Sequence, residues 1–361
     1  MVNQIPVSCL IPVSVRPWLF GLCFAPLCIG PTIASAADSS IETVDTPVIS
    51  WISAQNRAGR DSLDNFETAP GRHAAFRQLL TALTKGDEDN ALTLAGTSDF
   101  NLTALRHEKQ RILAVTDRKN PHRGPTILIN PNPKIDLIAG APHPGNERGT
   151  YQQAVLLVTE QGARAAIIAG AHRCASRTYV TCDGRSRTCG SREAYRTSDV
   201  AHSPATLFHT AHLALTEAWP QAIVLSLHGM RTDDKGIRTS VVLSNGIRRA
   251  DDAGSTASSR LRTALVTALP DEGAVASCNI PGDRQYKFRR LCGTTNVQGR
   301  LVNGDEDVCR RGVTSGTGRF IHLEQDRRVR NPFADDWRDV KNHSFMQNYL
   351  NAIASVAPPI K

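Results

Sequence analysis

The chain predicts an α/β fold whose functional site lies along the carboxyl ends of its strands. Three observations carry that expectation. From about residue 110 onward, apolar runs of strand length alternate with segments of helical spacing. Each buried run stops abruptly at polar or turn-forming residues, as a strand does at the edge of its sheet. Two of those stops carry a histidine, His143 and His228, and open α/β sheets place their ligands at such strand ends.

The elements follow in order. Residues 38 to about 105 are polar and without a chemical motif, although Ala74-Ala-Phe-Arg-Gln-Leu-Leu-Thr-Ala-Leu83 reads as one amphipathic helix. Residues 112–115, 126–129 and 135–141 are successive short strands separated by turn residues. Residues 149–162 have helical spacing, and 163–170 form another apolar strand. Ser203-Pro204 is expected to open a helix reaching about residue 218, with serine as the cap and proline in the first turn. Strands at 222–227 and 240–243, a helix at about 258–269, a strand at 320–324 and a helix at 344–356 complete the pattern. The expected organisation is a signal peptide over 1–36, an N-terminal helical or irregular region over 37–108, and an α/β domain over 109–361.

The signal is read from Arg16, the apolar stretch 18–33 and the small-x-small site Ala34-Ser35-Ala36. Pro26 and Pro31 interrupt the stretch, which is shorter than the ~20 residues of a membrane span. The expectation is a periplasmic or secreted protein with no membrane span in its mature chain. Cys9, Cys23 and Cys28 fall in the signal, leaving Cys174, Cys182, Cys189, Cys278, Cys292 and Cys309. An even number in an exported chain predicts disulfides, and six cysteines leave about 15 connectivities open. No C-x-x-C occurs, which argues against a cysteine-ligated metal.

The formal net charge is +8, with arginine far in excess of lysine, which points to anionic partners. Only 5% of residues are aromatic and none interleave with basic runs, so nucleic acid is not an expected partner. The composition does not indicate an oligomeric state.

The most informative stretch is Ala139-Gly-Ala-Pro-His-Pro-Gly-Asn-Glu-Arg-Gly-Thr150. His143 and Glu147 lie four apart, where Pro144 and Gly145 disfavour regular helix. His228 ends the run Ala222-Ile-Val-Leu-Ser-Leu227. Two imidazoles and one carboxylate make three protein ligands with a fourth position left for water, the catalytic form of a zinc site. Amide cleavage by a metal-activated water also needs a proton shuttle, and Glu324 in Phe320-Ile-His-Leu-Glu-Gln325 emerges from an apolar strand where burial would raise its pKa. Asp199, in Ser198-Asp-Val-Ala-His202, is a candidate to orient a metal-bound histidine. His172 and His322 are secondary candidates, and His209 and His212 read as ordinary helical positions.

This order of motifs, over about residues 110–356, resembles the zinc carboxypeptidase-like superfamily. The relatives in view are the aspartoacylase and succinylglutamate desuccinylase type and the phage polyglutamate hydrolases. The resemblance implies a mixed, mainly parallel β-sheet flanked by helices (a phosphorylase/hydrolase-like fold), one catalytic zinc, and hydrolysis of an amide next to a carboxylate. It maps His143, Glu147 and His228 onto the zinc ligands and Glu324 onto the catalytic glutamate. Carboxypeptidases proper place two residues between the first histidine and the glutamate. Here there are three, Pro144, Gly145 and Asn146, and the polyglutamate hydrolases space the pair more widely. These relatives hold a substrate carboxylate and polarise the scissile carbonyl with arginine. Arg173 is the candidate for the first task and Arg300 for the second.

The expected function is therefore an exported zinc hydrolase acting on a carboxylate-bearing peptide, a peptidoglycan stem or a polyglutamate-like substrate. An N-acetylmuramoyl-alanine amidase-type zinc enzyme and a non-catalytic binder of cell-wall fragments are the alternatives. A serine hydrolase is disfavoured because no G-x-S-x-G occurs.

Overall fold

The computed structural model describes residues 40–360, apart from 56, 232–238, 252–253, 270–274, 284–289 and 311. The expected signal peptide lies outside the described residues. The strands are β1 (Glu42–Val44), β2 (Phe100–His107), β3 (Gln110–Asp117), β4 (Thr126–Ile129), β5 (Ile135–Ala141), β6 (Ala163–Ile168), β7 (Ile223–Gly229), β8 (Val241–Ser244), β9 (Val275–Ser277) and β10 (Phe320–Gln325). They form one mixed sheet in the order β1-β2-β3-β4-β6-β5-β7-β10-β8-β9. The central four, β6-β5-β7-β10, are mutually parallel.

Helices cover both faces. They are α1 (Val48–Ser53), α2 (Pro70–Thr84), α3 (Glu88–Thr97), α4 (Thr150–Thr159), α5 (Leu207–Ala218), α6 (Ala257–Ala268), α7 (Val297–Val302), α8 (Arg327–Asp335) and α9 (Ser344–Ala354). Leu137, Ala139, Leu225, Leu227, Ile321 and Leu323 pack on the side of α1, α4, α6, α8 and α9. Ile138, Ile167, Val224 and Phe320 pack on the side of α2, α3, α5 and α7. Successive side chains of a strand alternate between the two faces, and both faces are covered here. The central strands therefore read as nearly unbroken apolar runs rather than as alternating ones.

Connectivity explains where the site falls. From β5 the chain passes through α4 to β6 on one side, then through α5 to β7 on the other side of β5. The connections diverge at the carboxyl ends of β5 and β7, which opens a crevice there. His143 follows β5 and His228 lies near the end of β7.

Two expectations change in detail. The helix expected to open at Ser203-Pro204 begins at Leu207, because the Thr206 hydroxyl accepts the amide of His209 and is the true cap. The polar stretch before residue 108 contributes β1 and β2 to the sheet. Strand β2 pairs with β3 from Phe100↔Asp117 to His107↔Gln110, so the expected boundary at 108/109 falls in the turn of a hairpin. Ser40–Lys361 forms one compact unit.

The six cysteines pair as Cys174–Cys189, Cys182–Cys309 and Cys278–Cys292. Among the described residues no helix is long and apolar enough to cross a membrane.

Candidate metal centre and its cleft

Strand β5 ends at Ala141, and His143 starts a single turn. Its carbonyl accepts the amides of Asn146 (3.0 Å) and Glu147 (2.9 Å), the second closing a helical i to i+4 ring. Four residues apart in such a turn, the His143 and Glu147 side chains lie on one side of the backbone. The turn joins α4 through Gly149, whose φ of 94° is left-handed. A β-carbon there would lie 2.3 Å from the carbonyl oxygen of Arg330, so glycine is required on both counts.

The two histidines meet the two oxygens of one carboxylate. His143 Nδ1 is 2.9 Å from Glu147 Oε1, and His228 Nδ1 is 3.4 Å from Glu147 Oε2. Each ring is held from behind at its other nitrogen: His143 Nε2 by Asp199 Oδ1 at 2.8 Å, and His228 Nε2 by Ser226 Oγ at 2.9 Å. The Gly229 amide also donates to Glu147 Oε2 at 3.0 Å. His143 is 1% exposed, and Glu147 and His228 are likewise buried.

A second group adjoins the first. Glu324 is the register partner of His228 across the parallel pair β7–β10, and His322 is the partner of Ser226. The His322 ring stacks on His228 with centroids 4.4 Å apart. Ligand atoms of His143, Glu147 and His228 lie within 4.8 Å of one another, and so do those of His228, His322 and Glu324. His322 Nδ1 is buried without a hydrogen-bond partner among the described residues. Such an orphan is costly in an interior unless it has a role.

The electrostatics follow from this crowding. Burial and Arg173 oppose charging of His143, but Glu147 and Asp199 outweigh them and its pKa is raised. Burial alone would raise Glu147; the charge of His143 and its hydrogen bonds with His143 and His228 hold it well below the carboxylate range. Asp199 is likewise held down, by Arg173 and His143 against its burial. Burial pushes His228 and His322 down, so both are neutral imidazoles. Burial and the nearby charge of Glu147 push Glu324 up to about 8. Two carboxylates in one site are thus set apart, one firmly ionised and one poised near neutrality.

Four of the residues expected from the sequence, His143, Glu147, His228 and Glu324, are brought together. Asp199 joins them on the far side of His143. Arg173 is adjacent as well, but its charge is committed. Its Nε and Nη2 donate to Asp199 Oδ2 at 3.0 and 2.6 Å, and its Nη1 to Glu147 Oε1 at 3.3 Å. It fixes two carboxylates of the centre, which leaves it less suited to a substrate carboxylate than the sequence implied.

Arg300 requires a correction. It is 1% exposed and does not line the cleft. Its guanidinium grips both oxygens of Asp183 (2.7 and 2.9 Å) and donates to the carbonyls of Thr294 and Val308. Asn296 caps α7 through the Gly299 amide and starts the short helix that carries Arg300 to this inward position. The residue clamps loops together and has too few donors left to polarise a carbonyl.

Other histidines are settled structurally. His202 stacks on Tyr195 at 3.6 Å and bonds the Thr295 carbonyl, and burial pushes it down to about 4. His172 Nδ1 accepts the Cys174 amide.

The centre forms the floor of a cleft of about 660 Å³ lined by Glu147, Arg173, Glu324 and Arg330 together with the loop at residues 185–188. Arg330 was not singled out from the sequence. The signal available was the cap Asp326, whose carboxylate accepts the Val329 amide and so starts a helix one turn before it. Comparison of the chain with protein-family models, with curated proteins and with solved structures finds no match.

Proposed function

We propose that the protein is an exported zinc-dependent amide hydrolase acting on a carboxylate-bearing substrate. The observation that carries this reading is the convergence of His143 Nδ1 and His228 Nδ1 on the two oxygens of Glu147, with both opposite nitrogens already occupied. Two imidazoles oriented by outer partners and one ionised carboxylate are the donor set of a catalytic zinc with three protein ligands. A zinc ion held by His143, Glu147 and His228 would polarise the scissile carbonyl and bring water ionisation toward neutral pH.

The chain's own groups supply the rest. Glu324 is buried on the same floor, with a carboxylate oxygen within 4.8 Å of a ring nitrogen of His228. A carboxyl poised near neutrality suits a group that takes a proton from the attacking water and returns it to the leaving amine. The repulsion from Glu147 that raises Glu324 is relieved when a cation neutralises Glu147, which favours the base form. Asp199 and Ser226 keep the two imidazoles turned toward Glu147. Arg173 holds Asp199 and Glu147 in place.

The proximity of Glu324 favours catalysis over mere binding of wall fragments. The three disulfides and the expected signal support export. The test is hydrolysis of acidic peptides and peptidoglycan stem fragments by purified protein with its disulfides formed. Release of a free amine that a chelator abolishes and zinc restores supports the reading. Absence of any cleavage by zinc-loaded protein across both substrate sets contradicts it.

A further inference from the structure

His322 has no task in the centre described above, yet the fold builds a position around it. On β10, His322 and Glu324 are two residues apart and so project to one face of the sheet. Their register partners on β7, Ser226 and His228, project to the same face, which sets the four side chains in two adjacent rows. His228, His322 and Glu324 each bring a ligand atom within 4.8 Å of the others. All three are at least nine-tenths buried, at 4%, 4% and 9% exposed.

The His322 ring is held in place. It stacks on His228 with centroids 4.4 Å apart. The backbone of Gly293 also rests on it: a β-carbon there would lie 2.4 Å from His322 Cδ2 and 2.5 Å from Cγ. The φ of 60° at Gly293 is left-handed, so glycine is required on both counts. Gly293 follows Cys292, whose bridge to Cys278 fastens the segment. A ring packed in this way does not swing to find a protein partner, and its Nδ1 has none among the described residues. A nitrogen fixed beside a second imidazole and a carboxylate belongs to a donor set that suits a borderline divalent ion.

We propose that His228, His322 and Glu324 form a second, weaker position for a divalent transition-metal ion, next to the one held by His143, Glu147 and His228. His228 serves both because its two nitrogens face different ways. Its Nδ1 faces Glu147, and its Nε2 faces Ser226, the register partner of His322. Coordination through Nε2 replaces the hydrogen bond with Ser226 and releases the ring proton to water. Two cations sharing one ring repel each other, so the second binds less tightly. Glu324 lines the cleft, which gives the ion a way in. With the first ion alone bound, Glu324 stays free for the proton transfer proposed above. The second position is a property of these three side chains and holds whether or not the protein is a hydrolase.

Equilibrium dialysis of the purified, disulfide-intact protein against zinc, and separately against cobalt(II), counts the ions bound. The wild type should take up two, the second at least about tenfold more weakly than the first. Desalting should strip only the second. His322→Phe keeps a ring on His228 but offers no nitrogen, and should bind one ion with the wild-type first affinity. His143→Ala should bind one ion, weakly, and His143→Ala combined with His322→Phe should bind none. The two cobalt ions of the wild type, joined through one imidazole, should give a coupled paramagnetic resonance signal rather than the sum of two isolated ions.

A single ion at saturation in the wild type would overturn the inference and leave His322 Nδ1 to water alone. A second ion that His322→Phe retains would overturn it too, as an adventitious surface ion. If His322→Phe fails to fold, Glu324→Gln decides the matter, since it should lose the second ion and keep the first. Absence of amide cleavage leaves all these counts unchanged, so the hydrolase reading and the second position fail separately.

Discussion

Asp199 Oδ1 holds His143 Nε2 at 2.8 Å while the opposite nitrogen of the same ring faces Glu147 at 2.9 Å. The carboxylate thereby fixes which nitrogen is presented to the centre and raises its basicity. Asp199→Asn keeps the shape and removes the charge. Zinc affinity should fall about 10–100-fold, as on loss of other such outer partners. Competition with a chelating dye measures it, and unchanged affinity would show that Asp199 serves only Arg173.

Glu324→Gln separates proton transfer from metal holding. Glutamine matches the shape of glutamate but cannot take a proton from water. Turnover should fall roughly 10²–10⁴-fold with zinc content and fold intact. A carboxylate that merely balanced nearby arginines would give lower stability with turnover nearly unchanged.

Peptide mapping under non-reducing conditions should recover the pairs Cys174–Cys189, Cys182–Cys309 and Cys278–Cys292. The bonded cysteines lie outside the ten strands. Mild reduction should therefore raise hydrogen exchange at 174–189 before it affects β5 or β7. Simultaneous loss of protection in loops and central strands would contradict this.

The parts of the site that were legible in the sequence share one property. His143, His228 and Glu324 each terminate or follow an apolar run, and a buried central strand announces itself by such a run. The bounds of β4 and β5 were legible for the same reason. Strand β2 was not, because Asn101 and Arg106 are solvent-facing and break the apolar pattern. Helix α8 was hidden by composition: Arg327–Asp335 is dense in arginine and contains Pro332, so only its cap Asp326 marks it. Arg300 was misjudged because its carboxylate partner, Asp183, lies 117 residues earlier. No local pattern reveals such a pairing.

His209 and His212 on α5 are buried and neutral, pushed down by burial to about 3 and about 4. Unfolded, each would take a proton as the pH falls through the ordinary imidazole value of about 6.5. Between that pH and about 4 the unfolded state binds more protons, so stability declines as the pH falls across this window. The slope is at most about 1.4 kcal/mol per pH unit for each histidine. Melting temperature measured from pH 7 to pH 4 should fall, and His212→Asn should flatten the slope whatever it does to stability at pH 7. An unchanged slope in the variant would remove His212 from the account.

The central claim is that His143, Glu147 and His228 together hold one zinc ion. Metal analysis of the purified, fully oxidised protein after zinc exposure and desalting tests it most directly. The account predicts one zinc per chain in the wild type and in Glu324→Gln, and loss of that zinc in His143→Ala and His228→Ala variants that still melt cooperatively. A wild-type protein that stays metal-free with all three disulfides formed, or histidine variants that keep their zinc, would contradict it.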